Sequence, residues 1–195
     1  MHARTTTKKR RLIERAKELF IAHGYRTVSV EQIAEAAGIS KVTLYAYAGS
    51  KEELFIRCVE EITDEHYEGM RRRLETMTGS IARLEEVFAY NLEQYEKYSM
   101  SFYKDMMETP HVWKEIIQYR KTHGIAILER ILVDGIESGE LRRVNIEHTV
   151  RLLMILGEAL PRAFPLHEKN AAEEFIRTYY DFIRHALINN RPGGN

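Results

Sequence analysis

The chain has 195 residues, 44% of them hydrophobic and 30% charged, with 29 basic residues balanced by 29 acidic ones. That length suits one ordinary domain, or a small domain joined to a larger one, with enough apolar content for a packed core. A single cysteine, Cys58, excludes an intramolecular disulfide framework and a cysteine-based zinc site, and the longest apolar run, around "LLMIL", is too short to span a membrane.

Further along this line, the basic start "MHARTTTKKRR" leads into a stretch holding Glu14 and Glu18, not into the apolar core of a signal peptide. A cytoplasmic location without a membrane partner is expected. Four prolines and the lack of sustained alternation of Val, Ile and Thr make all-α the expected fold class. Charge is unevenly placed, because residues 1 to 51 hold ten Lys/Arg against four acids, a surplus of +6 that the rest of the chain balances. A basic segment on an acidic body suits a polyanionic partner, although "TTTKKRR" taken alone reads as a solvated tail.

In chain order, Leu12, Ile13, Ala16, Leu19 and Phe20 lie along one face of a helix expected from Arg10, and Gly24 supplies its stop. Ser29 with Gln32 makes a capping box for a second helix, on which Val30, Ile33, Ala34 and Ala37 recur at helical spacing before Gly38 offers a left-handed turn residue. Ser40 caps a third helix reaching about Tyr47, with Leu44 inward and Lys41, Val42, Thr43, Tyr45 and Tyr47 left outside. Ser50 with Glu53 makes another capping box, opening a long helix with an inward stripe of Leu54, Phe55, Cys58, Val59 and Ile62. Helices of two turns are marginal alone in water, so something beyond local stability selects them. Two such helices joined by a tight glycine turn form a helix-turn-helix, whose second helix can enter the major groove of DNA with its first turn.

The stretch "LFIAHGYRTVSVEQIAEAAGISKVTLYAYAGSKEELF" resembles the DNA-binding domain of the tetracycline-repressor (TetR) family of transcriptional regulators over roughly residues 10 to 60. The likeness is carried by "LF" and "GY" closing the first helix, "SVEQIA", the turn "AGISK", "TLY" and "SKEEL". Two positions depart from the family pattern: Val28 stands where a small polar residue is usual, and Ala48 where a bulky one is, which loosens packing between helices without touching DNA-facing positions. The resemblance implies an N-terminal three-helix DNA-binding domain, residues 1–52, followed by a helical effector-binding and dimerisation domain, residues 53–195.

Geometry and resemblance together assign the DNA-facing residues. Ser29 and Ser40 cap helices and stand near phosphates, while Lys41, Val42 and Thr43 reach base edges: Lys41 toward guanine, Val42 or the Thr43 methyl toward a thymine methyl. Tyr45 and Tyr47 suit phosphate or sugar contacts, and Lys51, a cation at a helix start, points to a nearby anion. Lys8, Lys9, Arg10 and Arg11 add salt-dependent affinity for phosphates or a minor groove.

Beyond about Gly69 the pattern is a helical bundle. Ile81, Leu84, Phe88, Asn91, Leu92 and Tyr95 mark one helix, and Thr109 with Pro110 opens another that Gly139 ends. Asn145 caps a helix expected to run until Pro161, and Asn170 with Glu173 caps the last, through Phe175, Tyr179, Phe182 and Ala186. Ile176, Ile183 and Leu187 make the apolar band of that last helix too wide for one core face, so a second buried surface is expected. The family pairs its last two helices across a two-fold axis, where Gly157 would allow close approach; a homodimer would then read a near-palindromic operator in double-stranded DNA. Asn91, Tyr95, Phe102, Tyr103, Trp113 and His123 are suitable material for the pocket of a small-molecule effector, and for core packing equally.

No enzyme is indicated. Glu108 to His111 is an isolated Glu-x-x-His, broken by Pro110, and no HExxH motif, P-loop or nucleophile elbow appears, so neither a metal nor a cofactor is expected. The expected function is a sequence-specific transcriptional regulator, acting as a repressor under effector control. Its rival is a helical ligand-binding or scaffold protein without specific DNA binding.

Overall fold

A computed structural model describes the backbone of residues 2–95, 97–163 and 169–189, and the side chains of residues 7–94, 97–156, 174 and 177–189. The side chains of Tyr95, Gly157, Pro161, Asn170, Glu173, Phe175 and Ile176, to which the sequence assigned roles, lie outside the described residues. Among those described, the elements are α1 (His2–His23), α2 (Val30–Ala37), α3 (Lys41–Ala48), α4 (Lys51–Glu75), α5 (Ser80–Tyr95), α6 (Met100–Glu108), α7 (Pro110–Glu137), α8 (Ile146–Ala163) and α9 (Lys169–Leu187). The all-α expectation holds.

Two boundaries differ from the sequence reading. Helix α1 begins well before Arg10, since no glycine or proline interrupts the chain between His2 and His23. Helix α8 continues past Pro161 to Ala163, because a proline removes one intrahelical hydrogen bond without forbidding the next residues from helical backbone.

Packing divides the chain into two compact units, Met1–Glu65 with Glu96–Tyr119, and His66–Tyr95 with Arg120–Asn195. Helices α4 and α7 therefore each contribute to both.

The first unit is built around Leu12, Ala16 and Phe20 of α1, Ile33 and Ala37 of α2, Leu44 and Ala48 of α3, and Leu54, Phe55, Cys58 and Val59 of α4, all buried. The Phe20 and Phe55 rings meet edge to face at 5.0 Å, and Phe55 meets Phe102 of α6 in the same way at 5.7 Å. Truncating such a ring to alanine costs about 3–5 kcal/mol. Ala48, expected to loosen this packing, is fully enclosed.

The second unit buries Tyr67, Met70, Leu84, Tyr90, Leu128, Leu132, Val150, Leu153, Tyr179 and Ile183 in one core. Its α5 is started by the Glu140 carboxylate, which accepts from the Ile81 N–H at 3.0 Å and from the Ser80 N–H. Leu141 pairs with Ile188, and the Arg142 N–H donates to the Leu187 carbonyl at 2.9 Å, so residues 140–142 join the start of α5 to the end of α9. Asn145 accepts from the His148 N–H at 2.9 Å and caps α8 as its sequence indicated. Thr109 serves two helices: its carbonyl accepts from the Trp113 N–H at 2.9 Å and opens α7 with Pro110 in first place, while its hydroxyl donates back to the Asp105 carbonyl at 2.8 Å and closes α6.

Candidate nucleic-acid interface

The two short helices are fixed by their ends. The Ser29 hydroxyl accepts from the Gln32 N–H at 3.2 Å while the Gln32 side chain accepts from the Ser29 N–H at 2.7 Å, completing the capping box of α2. Such caps are worth about 1 kcal/mol each. At the other end Gly38 has φ +63°, and its N–H and that of Ile39 return to the Glu35 and Ala34 carbonyls. A side chain at residue 38 would be strained in this conformation, so glycine sets the angle at which α3 leaves α2.

Ser40 then caps α3 through the Thr43 N–H at 3.2 Å, and its hydroxyl also meets the Thr43 hydroxyl at 2.9 Å. These two contacts hold the Thr43 methyl in one orientation on a half-buried residue. Leu44 and Ala48 anchor α3 from beneath, which leaves Val42 80% exposed and Tyr45 46% exposed. An isopropyl group so bare contributes little to folding. Lys41 is exposed beside it, its ammonium paired with the Glu31 carboxylate of α2. That hydrogen bond is the leading reason that Glu31 titrates below the usual glutamate range, with α2 backbone donors next.

The remaining expected residues are less free. Tyr47 is half-buried, and its carbonyl accepts from the Arg57 guanidinium at 2.9 Å. Lys51 is half-buried as well, with its ammonium 4.4 Å from the centre of the Tyr25 ring, and burial lowers its pKa. A cation over an aromatic face needs no anion to explain it. Lys8, Lys9, Arg10 and Arg11 lie exposed on α1; Arg10 pairs with Glu14 at 3.4 Å, and Arg11 lies over the Gly38 turn.

Behind this surface sits a brace that sequence reading missed. Asp105 of α6, buried, accepts the Arg26 N–H at 2.8 Å, while Glu108 takes the Arg26 guanidinium at 2.7 Å. Gly24, at φ +82°, makes room: a Cβ there would lie 2.7 Å from Asp105 Oδ2. The loop between α1 and α2 is thereby held by a helix some eighty positions further on. The missed signal was the pair of acids three residues apart on α6, but nothing local identifies their partner.

The six residues expected around an effector are not gathered in one unit. Asn91 and His123 belong to the second, where the Asn91 amide donates to the Val87 carbonyl at 2.6 Å and the His123 ring stacks on Tyr67 at 5.4 Å. Phe102, Tyr103 and Trp113 belong to the first, with Phe102 and Tyr103 buried in its aromatic cluster. Among the described residues no group of three or more His, Cys, Asp or Glu could hold a metal ion, and no helix is long and apolar enough to cross a membrane.

Residues 12–58 match the family model described as bacterial regulatory proteins, tetR family, which spans α2, Gly38 and α3 with the helices on either side. This chain carries a TetR-family DNA-binding domain. It is similar to the HTH-type transcriptional activator FasR of Mycolicibacterium smegmatis, 28% identical over 140 residues that make up 69% of this chain and 64% of FasR, so the match spans slightly under two thirds of that relative. The TetR-family regulator PfmR of Thermus thermophilus shares its structure with a TM-score of 0.63 at 26% identity, covering 89% of this chain and 97% of PfmR. A transcriptional regulator from Saccharomonospora viridis, solved in complex with choline, has the same fold at TM-score 0.74 and 17% identity, covering 95% of this chain and 100% of the other. The TetR fold thus extends through both units, while the family model covers only the helix-turn-helix and its supports.

Proposed function

We propose that this chain is a homodimeric, operator-binding repressor in which residues 1–52 read DNA and residues 53–195 dimerise and receive a small-molecule effector. The observation that carries the DNA-reading assignment is the first turn of α3, where Lys41 and the bare Val42 stand outside a helix fixed at both its caps and its underside. Lys41 would donate to a guanine edge, Val42 and the Thr43 methyl would pack on thymine methyls, and Tyr45 would hold a phosphate with its hydroxyl. Ser29 and Ser40 place helix N-termini near the backbone, and Tyr47 and Lys51 support the surface at its edge.

Dimerisation is supported by α8 and α9, which bury Leu153, Tyr179 and Ile183 yet expose Leu152 and Ile155, each 54%, and Phe182, 66%. A two-fold pair would place two recognition helices on a near-palindromic site. For the effector, His123, whose ring stacks on Tyr67 in the second unit, would supply an orienting group, and the regulator solved with choline supports the reading that this fold receives a small molecule. An effector that prefers a state with misplaced recognition helices would weaken operator binding by its differential affinity.

Binding of the purified protein to DNA upstream of its own gene, as a salt series with Lys41→Ala and Tyr45→Phe, tests the reading. Lys41→Ala should redirect preference among sequences, and Tyr45→Phe should weaken all sites alike. Weak, salt-sensitive binding indifferent to both changes, with and without candidate effectors, would sink it. FasR being an activator, a reporter assay with and without this regulator decides the sign.

A further inference from the structure

The ion pair between Glu31 and Lys41 has no clear use in folding. Both side chains are more than half exposed, and pairs of that kind contribute little to stability. Glu31 does sit in the first turn of α2, where a carboxylate suits the helix dipole, but that explains its presence on α2 and not its reach across the turn to α3. On the DNA-reading surface the same contact has a strong chemical consequence. A free lysine is a mobile point charge that settles on whichever phosphate is nearest, which makes it a poor reader of sequence. Its ammonium carries three N–H donors, and Glu31 occupies one direction while the others stay available.

We propose that Glu31 is a specificity-determining residue, holding the Lys41 ammonium so that it serves a neutral base edge and is withheld from the phosphate backbone at large. Guanine O6 and N7 are uncharged acceptors and can take the remaining N–H groups with the pair intact. A phosphate approaching the same ammonium meets the Glu31 charge beside it, and must either accept that repulsion or separate the pair. The adjacent Ser40 and Thr43 hydroxyls meet each other as well, so the first turn of α3 presents partners already oriented within the protein. Glu31 acts through Lys41 as a positioning residue, and the inference rests on Lys41 being a base contact.

The test compares full-length wild type, Glu31→Gln, Lys41→Ala and the double variant on the selected operator, on its single-base variants and on random-sequence DNA, each across a salt series. Glu31→Gln should keep the wild-type unfolding midpoint, bind random DNA more tightly with a salt slope steeper by about one, and lose about fivefold in operator discrimination. In the Lys41→Ala background the same change should leave discrimination where it was. If Lys41→Ala lowers discrimination while Glu31→Gln does not, the role of Glu31 is overturned and the base contact stands. Equal effects of Glu31→Gln with and without Lys41 would also overturn it, showing a general charge effect. Discrimination untouched by Lys41→Ala would overturn the base contact, and the role of Glu31 with it.

Discussion

Both units expose apolar side chains, and they do so in opposite company. On α3, Val42 stands beside Lys41 and Ser40, a single isopropyl group within a polar surface. On α8 and α9, Leu152, Ile155 and Phe182 are large, and Tyr179, Ile183 and Leu153 already fill the core behind them. An isolated small apolar group among donors suits a thymine methyl among base edges, whereas several large ones suit another protein surface. Exposure alone does not distinguish the two; the neighbours do.

The largest effect should come from breaking the second surface. Phe182→Glu is expected to leave the monomer folded but to convert the dimer to monomer by light scattering, and to weaken operator binding by about a hundredfold or more because two half-sites are no longer linked. A Phe182→Glu protein that stays dimeric and binds normally would show that the Phe182 face of α9 is not the dimer contact. Next in size is the brace behind the first surface: Asp105→Ala leaves the Arg26 N–H without its buried acceptor and should cost about 2–3 kcal/mol in urea unfolding, with Asp105→Asn costing less. Val42→Ala sharpens the contrast directly. It should change stability by less than about 0.5 kcal/mol while lowering discrimination at one base pair severalfold.

The most gradual effect is set by pH. Burial raises the Cys58 thiol of the first unit well above its ordinary value of 9.0, and the Tyr179 hydroxyl of the second is pushed up to about 12 from 10.0. Each folded pKa is raised, so the native state keeps a proton that the unfolded chain releases, and stability falls as pH climbs past the unfolded value. The loss should begin near pH 9 at Cys58 and near pH 10 at Tyr179, at up to about 1.4 kcal/mol per pH unit for each group. Cys58→Ala should remove the earlier step in denaturant titrations, and the folded wild type should react slowly with thiol reagents.

Local chemistry was readable from the sequence, and distant chemistry was not. Ser29, Gln32, Gly38, Ser40 and Asn145 cap or turn the chain where their neighbours say they should, because a cap is a contact across three residues. The stripe Leu54, Phe55, Cys58, Val59 is buried for the same reason, since helical periodicity is local. Asp105 with Arg26, and Lys51 over Tyr25, depend on tertiary placement and left no periodic trace. Effector residues were hardest to read, as Phe102 serves the packing of the first unit and Asn91 is spent on its own helix, uses that a list of aromatic and polar residues cannot distinguish from ligand contacts.

The bareness of Val42 also bears on how such a regulator acquires new targets. Because Val42 and Tyr45 have so little part in the core, a lineage can substitute them without approaching the threshold at which the fold is lost. Retargeting to a different operator is therefore a search over a few side chains on a scaffold that tolerates the trial, and Lys41 with Glu31 would drift as a couple, each change in one altering what the other is worth.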